Sequence, residues 1–93
     1  MDTESADNDD LSRLREQVTA IDLEIVEAVN RRIEVVSRIW ALKSERGLGE
    51  VDPERERWLH EHLADANRGP LSPDGLREIY AALLDLTKRE VSR

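Results

Sequence analysis

From Leu11 onward the apolar positions fall at Leu11, Leu14, Val18, Ile21, Ile25 and Ala28, and later at Val35, Ile39 and Leu42. The steps alternate between three and four residues, which is the seam pattern of paired helices. One seam position is polar: Arg32 stands where the next apolar side chain belongs. Between Leu11 and Arg46 there is neither glycine nor proline. The pattern therefore predicts one continuous helix of about 36 residues, roughly 54 Å long at 1.5 Å per residue. Gly47–Leu48–Gly49 ends it.

Two shorter helices follow. Asp52 is a good N-cap and Pro53 a good first-turn residue, so the second helix starts there and runs to about Asn67. Its inward residues are Leu59, Leu63 and Ala66. The loop "RGPLSPDG" holds a second start signal, Ser72 followed by Pro73. The third helix carries Leu76, Ile79, Tyr80, Leu83, Leu84, Thr87 and Val91 on one broad face. Residues 1–10, "MDTESADNDD", are acidic and without apolar period. They read as a disordered tail before a helical domain spanning 11–93. The fold class is all-α, with a long, a short and a medium helix. The two shorter helices cannot cover a 54 Å rod. The uncovered seam predicts a second copy, hence a homodimer with the long helices paired.

Composition narrows the chemistry. The net charge is −7, which disfavours nucleic acid as a partner. There is no cysteine, so disulfide and thiolate chemistry are out of reach. No apolar run is long enough to span a membrane, and the N-terminus is not a basic-then-apolar signal, so the default location is cytoplasmic. His60 and His62 are two apart on a helix and point to different faces, which is no metal spacing. Trp40 and Trp58 read as packing residues. Any reaction must rely on electrostatics and shape.

Arg32 is the residue that asks for an explanation. A charge in a packed seam without a partner costs several kcal/mol, roughly 3–5. An anionic ligand would supply the partner; so would snorkelling past a neighbour, or a glutamate across the dimer. Lys43 lies eleven residues on, within about 20° of the same face. Two cations on one stripe suit the two ends of a small dianion. Arg15 is seventeen residues before Arg32, about 25 Å away along one helix. An antiparallel partner would bring its own copy close. Arg55 and Glu56 open the second helix and could close such a site. Each also has an ordinary reading: Arg15 as a solvated arginine, Lys43 as a favourable C-terminal lysine, Arg55 and Glu56 as surface charges, Asp52 as a cap.

In that order the residues resemble the all-α, AroQ-type chorismate mutase family, over about residues 11–90. The carrying segments are "LREQVTAIDLEIVEAVNRRIEVVSRIWALK", "VDPERER" and "GPLSPDGLREIY". The resemblance implies an intertwined homodimeric helical bundle that rearranges chorismate to prephenate without a cofactor, on the path to phenylalanine and tyrosine. It implies that Arg15 is lent across the subunits to one substrate carboxylate and that Arg32 holds the other. Lys43 would donate to the breaking ether oxygen. Arg55 would add a binding cation, Asp52 would lie near the ring hydroxyl, and Glu56 would accept from it. Thr87 stands where the family has a serine. The family has glutamine or glutamate one turn further on; gapless counting puts Val91 there, with Glu90 one residue short.

Two other activities fit the same fold: an isochorismate-pyruvate lyase, and a mutase of 4-amino-4-deoxychorismate. A reading from another class is a weakly active domain that depends on a partner such as the first synthase of the shikimate pathway (DAHP synthase).

Overall fold

Asp52 and Ser72 both act as caps in the computed structural model, which describes residues 3–49 and 52–93, with side chains from residue 9 onward. Asp52 has extended backbone angles (φ −124°, ψ 92°), and its Oδ1 accepts the Arg55 N–H at 3.1 Å. The Ser72 hydroxyl accepts the Gly75 N–H at 2.9 Å. Each cap satisfies a backbone donor that the first helical turn leaves open, and the proline behind it has no donor to leave unsatisfied. The three helices are α1 (Thr3–Glu45), α2 (Pro53–Ala66) and α3 (Pro73–Val91), so the chain is all-α as expected.

One boundary differs from the sequence reading. The tail expected at 1–10 is helical from Thr3, and α1 has 43 residues; Met1 and Asp2 lie outside the described residues. The physical reason is local. No glycine or proline interrupts residues 3–10, and acidic side chains favour a helix N-terminus. Lack of an apolar stripe withholds tertiary support without blocking propagation of a helix already nucleated downstream.

The far end of α1 is closed by a paired-hydrogen-bond cap. Gly47 has φ +68°, the left-handed region that suits glycine. The Leu48 N–H donates to the Lys43 carbonyl at 2.8 Å, and the Gly47 N–H to the Ser44 carbonyl at 3.3 Å. These two bonds are the Schellman pattern.

The chain divides into two compact units, Met1–Arg32 and Ile33–Arg93. The first is helix alone among its described residues. Its seam residues face solvent: Leu14 is 58% exposed, Val18 56% and Ile25 54%. In the second unit α2 and α3 pack on each other. Leu76 and Thr87 of α3 are buried there, at 7% and 3% exposure. Leu59, Leu63, Tyr80, Leu83 and Leu84 are half-buried. Ala66 and Ile79, expected inward, are exposed. Two helices in contact cover only a narrow stripe on each other, and these two positions fall outside it. Among the described residues Leu76 is the one buried apolar side chain. That is far less core than a domain of this size needs.

Candidate functional site

The first unit holds two of the expected cations. Arg15 is exposed and Arg32 is half-buried. They sit on one helix seventeen residues apart, so their backbones are about 25 Å from each other. Within a chain they do not meet. Arg32 is the more enclosed of the two, as its seam position implies.

The second unit holds the others. Lys43 lies in the last turn of α1 and is half-buried, and its carbonyl is tied to Leu48 by the helix cap. Asp52, Arg55 and Glu56 form the start of α2. Asp52 spends one carboxylate oxygen on the Arg55 N–H, so it is a cap first. The Arg55 guanidinium lies over the Trp58 ring, 4.3 Å from its centroid. Trp58 in turn stacks on His62 with centroids 4.7 Å apart and 10° between the planes. The spacing of three and four residues puts all three on one face of α2. Trp58 is 47% exposed in the single chain and lies between Arg55 and His62 on the surface of α2. A cation over an exposed ring gains about 0.5–1 kcal/mol, which biases the direction of Arg55.

At the other end of α3, Thr87 is buried and its hydroxyl donates to the Leu83 carbonyl at 2.7 Å. Val91 and Glu90 are half-buried. The Glu90 Oε1 lies 3.4 Å from an Arg93 guanidinium nitrogen, one turn on. Packing of α2 on α3 adds a group that the sequence reading missed. The Lys88 Nζ lies 3.1 Å from Glu56 Oε1, with both side chains partly enclosed. The start of α2 and the end of α3 thus form one cluster, with Glu56 at the contact. No ion pair or hydrogen bond joins the Lys43 side chain to that cluster among the described residues.

A separate hollow of about 490 Å³ lies at the opposite end of the α2–α3 pair, lined by His60, Asn67, Leu71 and Leu76 among others. It contains none of the expected site residues.

Comparison with known proteins bears on this arrangement. Residues 14–91 match the family model described as chorismate mutase type II. The chain is 27% identical, over 84 residues, to a bifunctional chorismate mutase/prephenate dehydratase of Pseudomonas aeruginosa, covering 85% of this chain and 23% of that protein. It is 34% identical over 89 residues to the enzyme of the same description from Aquifex aeolicus, covering 87% of this chain and 25% of that one. The chain thus spans about a quarter of the length of these relatives. Among solved structures, a chorismate mutase of Thermus thermophilus (form II) is similar with a TM-score of 0.84 and 26% identity, covering 89% of this chain and 94% of that one.

Proposed function

Because the chain belongs to the chorismate mutase type II family, we propose that it is an isomerase that rearranges chorismate to prephenate. The observation that carries this reading is the family match over residues 14–91, which contain every candidate site residue. The substrate is a dianion and the reaction is unimolecular. The protein must fold an extended molecule into a chair and stabilise negative charge growing on the ether oxygen.

The cations divide that work. Arg32 holds one carboxylate, and Arg15 of the partner subunit holds the other. Lys43 donates to the ether oxygen. Arg55, over the Trp58 ring, adds a positive wall. Glu56 accepts the ring hydroxyl near Asp52, and Thr87 and Val91 complete the lining. The exposed seam of α1 supports a homodimer, since a second copy would cover it and return Arg15 to the site. No helix among the described residues is long and apolar enough to cross a membrane. With the acidic, cysteine-free composition, this supports action in the cytoplasm.

The test is direct. Purified protein is mixed with chorismate, and loss of substrate and formation of prephenate are followed, with and without EDTA. Matched reactions add a shikimate-pathway synthase. Prephenate formation that is insensitive to EDTA is expected. Chorismate left intact at micromolar protein, with and without the synthase, would overturn the reading.

A further inference from the structure

The contact between Glu56 and Lys88 is unlike the i,i+3 pairs Arg13–Asp10 and Arg77–Asp74, because it joins two helices. Its partners are 33% and 41% exposed, against 67% to 89% for the Arg77–Asp74 pair. Partial enclosure reduces solvent screening, so the charges act on each other and on anything placed beside them. The contact engages Oε1 of Glu56, and Lys88 adjoins the buried Thr87 in sequence.

We propose that Lys88 is a positioning residue that makes the site select a ring hydroxyl over a ring ammonium. The inference rests on the proposed function, in which Glu56 receives the substituent of the substrate ring. Lys88 holds the carboxylate by one oxygen and turns the other toward the ligand. It also neutralises the carboxylate. A hydroxyl needs only one acceptor oxygen and is indifferent to the nearby cation. An ammonium at the same place would gain the carboxylate but sit within about 6 Å of a second positive charge, a distance at which like charges disfavour each other. Without Lys88, Glu56 would be a free anion, and an anion prefers the ammonium.

The experiment measures kcat/KM for chorismate and for 4-amino-4-deoxychorismate with the unaltered protein and with Lys88→Gln and Lys88→Arg. The readout is the ratio of the two values, which a general loss of stability would not move. We expect Lys88→Gln to lower the ratio, hydroxyl over amino, by about tenfold or more, the effect of one unit of pKa-scale interaction. Lys88→Arg keeps the charge and should keep the ratio. If Lys88→Gln loses its helical circular-dichroism signal, Lys88→Met replaces it as the neutral variant. A ratio unchanged within twofold in a folded neutral variant overturns the role of Lys88 alone. So does a folded Lys88→Arg that discriminates no better than the neutral form. An unaltered protein that turns over neither substrate overturns the proposed function, and this inference with it.

Discussion

The side-chain amide of Asn67 donates to the carbonyl of Leu71 at 2.9 Å, while its carbonyl oxygen accepts the Gly69 N–H at 3.4 Å. One residue thus closes the loop between α2 and α3, and its own N–H caps α2 by donating to the Leu63 carbonyl at 2.9 Å. The loop sets how the two helices meet, and so how Glu56 meets Lys88. Asn67→Ala should cost about 0.5–1.5 kcal/mol, the net scale for an intramolecular hydrogen bond whose groups water can reach. Asn67→Asp keeps the acceptor and loses the donor, so it should fall between. Denaturant melts of the three proteins at one chain concentration check the order.

Gly47 and Gly49 offer an internal comparison. An added Cβ would meet nothing within 4 Å at either, yet of the two only Gly47 has a positive φ. Gly47→Ala should destabilise by about 1–2 kcal/mol, the penalty for a side chain in the left-handed region. Gly49→Ala should be within about 0.5 kcal/mol of neutral. Equal melting temperatures for the two variants would refute the cap as the source of the end of α1.

Arg32→Ala and Arg15→Ala should each lower kcat/KM by at least about 10²-fold, the scale for removing a preorganised charged donor. The two arginines sit about 25 Å apart along one helix, so they serve one ligand only if they come from different chains. Mixing the two inactive variants under subunit exchange should restore one good site per heterodimer. Verified exchange without recovery would mean that no site is shared between chains.

The end of α3 carries a prediction about speed. Glu90 lies 3.4 Å from Arg93, and under the proposed mechanism Val91 is the side chain in gapless register with the family's second ether donor. On that reading, the absence of that donor would cost about 10²–10³ in rate. Val91→Gln should therefore raise kcat, and Glu90→Gln should change it little. A Val91→Gln enzyme no faster than its parent, with a Glu90→Gln enzyme much slower, would reverse the assignment.

Much of this is legible in the sequence because it is local. The three- and four-residue spacing marks α1, and Asp52–Pro53 and Ser72–Pro73 mark the starts of α2 and α3 to the residue. Arg32 stands out as a cation in an apolar stripe. What escapes depends on how helices rotate against each other. Lys88 is an ordinary lysine in the last turn of α3 until α2 brings Glu56 to it. Ile79 belongs to the apolar face by spacing and lies exposed because the α2–α3 contact is narrow. The helical residues 3–10 escape because a missing apolar stripe signals missing packing, which is a different property from missing helix.

If the proposed pairing holds, the bare stripe along α1 makes abundance itself a control on chemistry. A chain whose described residues enclose one aliphatic side chain has little to hold it together alone, and under the proposed pairing its folding and its site arrive with the second copy. At dilution below the dissociation constant the paired form grows as the square of the chain present. Halving synthesis of the chain would then cut prephenate output about fourfold rather than twofold. Specific activity measured across a dilution series, flat at high concentration and falling in proportion at low, would expose that law.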